Sequence, residues 1–260
     1  MITAPGGCSI RPEPLSGLIW LGHSTVVIDL EGTRVVTDPV LRTRIWHLRR
    51  EGLVSADALG DLDAILVSHT HYDHLDLGSL DRLDRNLPIV APRGVGRLVR
   101  RRGFEHVVEL DVGEEVPLGG VRIRATHAEH ESSRGPISPN APSLGYIVEG
   151  GARIYFAGDT ALFPEMSKIG PIDVALLPVA GWGPRLGAGH LDPAGAAQAL
   201  RLVRPKAAVP IHWGTLRRVF AERPDDGPAR EFVRIAHEIA PQVDVRVLSI
   251  GQTLNLGELR

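Results

Sequence analysis

The sequence predicts a fold of mixed α and β structure, a pattern that two sheets packed face to face with helices outside would fit. Short apolar or alternating runs of strand length recur along the chain, as in Thr25-Val26-Val27-Ile28-Asp29-Leu30 and Val121-Arg122-Ile123-Arg124-Ala125-Thr126. Helix signals separate them. The clearest is Asp192-Pro193-Ala194-Gly195-Ala196-Ala197-Gln198-Ala199-Leu200, where Asp192 suits the N-cap and Pro193 the first helical position.

Taken in order, Leu18-Ile19-Trp20-Leu21, the run from Thr25, a turn at Glu31-Gly32 and Arg34-Val35-Val36-Thr37 read as a strand meander. Asp63-Ala64-Ile65-Leu66-Val67-Ser68 reads as a buried strand, and Leu75 to Leu80 as the opening of a helix. Pro88-Ile89-Val90-Ala91 follows as a strand, with a helix near 93–102. The second half repeats the style. Strands at 143–148 and 153–156 lead to Asp159, a short helix and a strand at 173–177. The Asp192-capped helix, a helix around 230–239 and a last strand at 243–248 complete the chain.

Four potential metal ligands fall within six positions of His69-Thr70-His71-Tyr72-Asp73-His74, where a strand ends and the chain turns. Residues two apart in extended backbone point the same way, so His69 and His71 can grip one cation. Asp73 and His74, on the turn, aim toward a second. Imidazole and carboxylate are donors that zinc accepts, and they also suit iron and manganese. His127, Asp159 in Gly158-Asp159-Thr160, and His212 in Pro210-Ile211-His212-Trp213 each follow another apolar segment. Four strand ends thus carry ligand-type residues, with the sandwich edge as their common meeting place.

In order, these residues form an HxHxDH motif, a lone histidine, a GDT aspartate and a late histidine, and over residues 16–250 the chain resembles the metallo-beta-lactamase fold hydrolases. The details look most like the branch of N-acyl phosphatidylethanolamine phospholipase D and ascorbate-6-phosphate lactonase. The pieces carrying that likeness are Trp20-Leu21-Gly22-His23-Ser24-Thr25, Thr37-Asp38-Pro39-Val40, the segment from Ser68 to Asp76, and Pro210-Ile211-His212-Trp213-Gly214-Thr215. The resemblance implies a four-layer αββα sandwich, one domain over 1–260 built of two similar halves. It implies two divalent ions, zinc foremost, with manganese or iron as alternatives. One ion is expected on His69, His71 and His127, the other on Asp73, His74 and His212, with Asp159 bridging. Water activated between the ions would cleave a phosphodiester, lactone or other ester of a small molecule or lipid. A non-hydrolytic metal or redox role, or a nuclease, stands as the alternative.

Around the ligands, His23, His190 and Trp213 are expected to meet substrate, and His190 and Asp73 to take part in catalysis. His190 lies two residues before the helix cap Asp192, and its counterpart in the phospholipase D-like branch lies near the metals. His47, His106, His130 and His237 show no partner pattern and read as surface residues. Candidate pocket walls are the Pro- and Ser-rich stretch 129–142, Arg42-Thr43-Arg44-Ile45-Trp46 and Gly181-Trp182-Gly183-Pro184-Arg185.

Composition agrees with a globular chain. Its 260 residues are 43% hydrophobic and 23% charged, enough to bury a substantial core. A net charge of −2 gives no reason to expect nucleic acid. The single cysteine, Cys8, rules out an internal disulfide and suits a reducing cytosol. No signal peptide or membrane anchor is visible, so a cytoplasmic location is expected. Oligomeric state is left open.

Overall fold

The computed structural model describes residues 16–52, 54, 56–133, 141–182 and 186–259. The chain opens as an antiparallel meander of β1 (Gly17–Trp20), β2 (Val26–Leu30) and β3 (Thr33–Thr37). A small hairpin follows, β4 (Arg44–Ile45) and β5 (Leu48–Arg50). Next come β6 (Ala64–Leu66), α1 (Leu77–Leu80), β7 (Ile89–Pro92), α2 (Gly96–Arg100) and β8 (Val107–Leu110). These three strands extend the sheet from β3 in parallel register, with the short helices in the crossovers.

A second sheet begins with β9 (Glu115–Leu118), β10 (Val121–His127), β11 (Leu144–Glu149) and β12 (Arg153–Phe156), all antiparallel neighbours. It continues in parallel through β13 (Val174–Pro178), with α3 (Pro193–Val203) leading to β14 (Ala207–Ile211). β15 (Leu216–Arg218) leaves to pair with β5 in a three-stranded sheet. After α4 (Gly227–Ile239), β16 (Asp244–Val245) joins β14, and β17 (Thr253–Asn255) crosses back to β1. Each large sheet has seven strands.

Period-2 alternation explains the layering. Val26, Ile28 and Leu30 face a core shared with Ile123, Ala125, Tyr146 and Phe156 of the second sheet. Their neighbours Val27, Val36, Ile65 and Ile89 face away, toward Leu80, Val95, Val99 and Phe104 of the short helices and their flanks. On the far side, α3 buries Ala196, Ala197, Ala199, Leu200 and Val203, and α4 buries Ala229, Phe232 and Ala236. β13 and β14 are buried along their whole length, as parallel strands covered on both faces should be. The result is the α/β sandwich with helices outside both sheets. The Tyr146 hydroxyl donates to Val67 O at 2.8 Å, fastening one sheet to the other close to the site.

Some elements differ from expectation. The last strand shrinks to Asp244–Val245. The short helix after Asp159 is a 3-10 turn, Pro164–Lys168. The three-stranded sheet, β8, β9 and β17 gave no clear sequence signal, because two- to four-residue strands are too short to show a period.

The second sheet delivers Asp159 through a backbone that only glycine fits. Gly158 has φ of +62°, and a Cβ there would lie 2.9 Å from Ser68 Cβ and 3.0 Å from Leu144 O. Gly158→Ala is therefore expected to lose about 1–3 kcal/mol of stability, read as a lower Tm by calorimetry. An unchanged Tm would show that the turn is looser than its contacts imply.

Candidate metal centre

The carboxyl ends of the strands converge on one edge of the sandwich, where ligand sites of open parallel sheets form. Ser68 and His69 follow β6, Asp159 follows β12, Ala180 follows β13 and His212 follows β14. Several of these ends are held in left-handed backbone: φ is 53° at His23, 35° at Asp38 and 64° at His212. Non-glycine residues adopt this conformation at an energetic penalty that packing must offset, and such positions cluster at functional sites. A buried arginine helps hold them. Arg50 donates to Val40 O at 3.0 Å and to Leu21 O, bracing the loops that carry Asp38 and His23. Burial lowers its pKa to about 10.

Two groups of donors face each other across Asp159. The first contains His69, His71, His130 and Asp159. His69 Nδ1 donates to Ser68 Oγ at 2.9 Å, and Ser68 Oγ in turn donates to Asp38 Oδ2 at 2.5 Å. His130 Nδ1 donates to Gly189 O at 2.8 Å. Each neutral ring therefore presents a bare Nε2. Both point at His71 Nδ1, at 3.1 Å from His69 and 3.0 Å from His130. One proton on His71 can satisfy only one of them, so at least one pair of nitrogen lone pairs faces another. A cation between them removes the repulsion. Nitrogens about 2.0–2.1 Å from a tetrahedral zinc lie about 3.3 Å apart, close to the observed spacing.

The second group contains Asp73, His74, His212 and His23. His74 Nδ1 donates to Asp38 Oδ2 at 2.7 Å and His212 Nδ1 to Ala180 O at 2.6 Å, the outer hydrogen bonds typical of metal-ligating histidines. Their Nε2 atoms stand 3.2 Å apart. They approach Asp159 Oδ2 and Oδ1 at 3.1 and 3.2 Å, and both lie 3.7 Å from Asp73 Oδ2. Asp159 Oδ1, fully buried, has no hydrogen-bond donor. A buried carboxylate oxygen left without a hydrogen-bond donor among converging imidazole and carboxylate groups fits a divalent cation, so the donor set suits metal in both groups.

Electrostatics follows from burial and from these carboxylates. Burial alone would raise Asp159, but His212 and His74 hold it well below the usual carboxylate range. Burial would lower His212, yet Asp159 pushes it up to about 9. His130 and His23 have weaker partners, and burial takes them down to about 4 and about 3. Both are neutral at physiological pH, with lone pairs available.

The structure brings together His69, His71, Asp73, His74, Asp159 and His212, and it leaves His127 out. His127 ends β10, is exposed, and contacts Glu129 Oε2 at 3.0 Å and the edge of Phe163. His130 takes the place expected for it. After β10 the chain turns, with His130 N donating to Ala128 O at 3.1 Å and Glu129 N to Thr160 Oγ1 at 2.9 Å. This turn carries His130 inward, so it is not the surface residue expected. The sequence signal was present in His127-Ala128-Glu129-His130, where either histidine follows the strand.

Two residues expected to meet substrate pack elsewhere. Trp213 is buried: its ring stacks on Trp20 with centroids 4.9 Å apart, and its Nε1 donates to Pro210 O at 2.9 Å. His23 lies beneath the ligands, with Nε2 donating to Asp73 Oδ2 at 3.0 Å and its ring on His212 at 3.9 Å. It positions Asp73 rather than lining a pocket. His190 does reach the edge of the centre, with Nε2 3.3 Å from Asp159 Oδ2. Of the expected walls, Arg42 is bound to Asp76 at 2.6 Å, while Gly183-Pro184-Arg185 and 134–140 lie outside the described residues.

A family model for a Beta-lactamase superfamily domain matches residues 33–213, which include most of these ligands. The chain belongs to the beta-lactamase superfamily. In this superfamily it is a metal-dependent hydrolase, and its relatives agree. A metal-dependent hydrolase of Caldivirga maquilingensis is 33% identical over 245 residues, covering 92% of this chain and 97% of that protein. An N-acyl-phosphatidylethanolamine-hydrolyzing phospholipase D of Caenorhabditis elegans is 35% identical over 231 residues, covering 77% of this chain and 65% of that protein. Among solved structures, the metallo hydrolase Igni18 of Ignicoccus hospitalis superposes with a TM-score of 0.72 at 26% identity, over 92% of this chain and 97% of that one.

Metal analysis after reconstitution separates the two histidines at the end of β10. His130→Ala is expected to lose up to one ion per chain, or to weaken its affinity at least about 10-fold. His127→Ala should keep the wild-type metal content. The reverse pattern would return His127 to the ligand set.

Proposed function

We propose that the chain is a dinuclear hydrolase that cleaves a phosphodiester, lactone or other ester bond of a small molecule or lipid-derived substrate. The observation that carries this reading is Asp159. Its Oδ2 lies 3.1 Å from His74 Nε2 and 3.9 Å from His69 Nε2, so one buried carboxylate touches both donor groups. His69, His71 and His130 would hold one ion, Asp73, His74 and His212 the other, and Asp159 would join them. When bound, two such ions, zinc foremost, lower the pKa of water toward 7 and stabilise the charge that develops on the attacked group.

The protein's own groups supply the rest. Asp38 accepts from His74 Nδ1, Ser68 N and Ser68 Oγ, so it fixes the tautomer of His74 directly and that of His69 through Ser68. His23 turns the Asp73 carboxylate by donating to Oδ2. His190 stands at the rim, partly exposed, with acceptor oxygens at both nitrogens: Asp159 Oδ2 on one side and Gly187 O at 3.1 Å on the other. From there its imidazole donates a hydrogen bond to an anionic substrate oxygen, or a proton to the departing alkoxide. The likeness to the phospholipase D supports the phosphodiester class, and no nucleic-acid substrate is proposed.

Bis(p-nitrophenyl) phosphate, a simple lactone and p-nitrophenyl acetate, each with and without chelator, test the reading. Turnover of at least one, lost on chelation and restored by about two zinc ions per chain, is expected. Turnover unaffected by metal removal would overturn it.

His190→Ala is expected to keep both ions and the wild-type Tm while kcat falls about 10²–10⁴-fold. An unchanged kcat with a lowered Tm would make His190 a support for the Asp192-capped helix instead.

A further inference from the structure

Beside the metal centre, two cavities meet at His127. The first, about 520 Å³, is lined by His130, Glu129, Glu131, Ser143, Ala161 and Gly189, and opens directly on the His130 ligand. The second, about 300 Å³, lies farther along the outer face of β10. Buried Phe163 and Ile169 give it an apolar floor, and Val112, Arg124, Lys168 and Glu165 also line it. His127 lines both cavities, and its ring lies edge-on to Phe163 at 4.9 Å. The residue that leaves the metal centre is thus a wall shared by both cavities.

The cations of the distal cavity lack partners among the described residues. Glu115 stands directly across from Arg124 on β9, but Arg122 takes it at 3.6 Å. The chain has only two lysines: Lys206 is bound to Asp173 at 2.7 Å, and Lys168, at the cavity rim, makes no ion pair among the described residues. Unpaired guanidinium and ammonium groups above an apolar floor form a site for an oxyanion carried on an aliphatic body.

We propose that this distal cavity is a substrate subsite: the preferred substrate carries a carboxylate or phosphate at the far end of an apolar chain, remote from the bond cleaved at the metal centre. This rests on the hydrolase reading above and names its substrate class. Arg124 and Lys168 receive the anion, Phe163 and Ile169 cover the aliphatic stem, and His127 borders the passage between the cavities. Neither cation touches the reacting bond, so their effect should fall on KM rather than kcat.

The test compares p-nitrophenyl half-esters of adipate, suberate and sebacate with neutral p-nitrophenyl esters of equal chain length, on the zinc-loaded protein. A half-ester of the right length is expected to show a KM roughly 10-fold or more below its neutral counterpart, with similar kcat and a difference that narrows at high salt. The double variant Arg124→Ala/Lys168→Ala should raise that KM to the neutral value, while Arg124→Lys/Lys168→Arg retains the preference. Terminal phosphonates in place of the carboxylate tell the two oxyanions apart, and preference for either supports the subsite. Equal KM values at every length, or a preference that survives the alanine variant, would overturn it. If none of these esters is turned over, the phosphodiester and lactone assays above decide the hydrolase reading. Calorimetric binding of suberate against octanoate then decides the subsite alone: tighter suberate binding lost in the alanine variant supports it, and equal binding overturns it.

Discussion

Burying three carboxylates at the edge of an apolar sandwich is the constraint on which the rest of the site depends. Asp38, Asp73 and Asp159 are all shielded from water, and an isolated buried charge is very unfavourable. Each is met by directed donors. Asp38 takes a backbone N–H, a serine hydroxyl and an imidazole N–H. Asp73 takes His23. Asp159 is approached by His74, His212 and His190, yet one of its oxygens still has no donor. The imbalance falls where the two groups of imidazole nitrogens meet, which suits the centre to cations rather than to a hydrogen-bond network complete in itself.

The fold holds this arrangement by strain and bracing at the strand ends. Left-handed backbone at His23, Asp38 and His212 turns three chains sharply as they leave their sheets, and Gly158 does the same just before Asp159. Arg50, its guanidinium sunk among backbone carbonyls, keeps two of those turns together. The large apolar core makes such strain tolerable, because packing between the sheets supplies far more than the turns consume. Braced turns at the candidate ligands and open cavities along β10 therefore coexist.

Much of this was legible in the chain. Strand periodicity announced β2, β3, β10 and β12, the cap at Asp192 announced α3, and the spacing from His69 to His74 pointed to donor groups that the fold gathers on one edge. What was not legible depended on turns. Whether His127 or His130 enters the centre is decided by a three-residue turn stitched to Thr160, and no periodicity reports the direction of a turn. Trp213 and His23 sit in a motif beside candidate ligands, but neighbourhood in sequence does not say which face of the loop looks toward solvent. Trp213 looks into the core and His23 lies beneath Asp73. The hairpin at β4 and β5 and its partner β15 are too short to carry a pattern and form only because tertiary contacts pair them.

Anomalous scattering from crystals of the zinc-loaded protein tests the central claim most directly. Two peaks about 3.5–4 Å apart are expected, one on each side of Asp159, with His130 Nε2 at bonding distance from one and His127 remote from both. A single peak, or a peak coordinated by His127, would contradict the dinuclear centre described here.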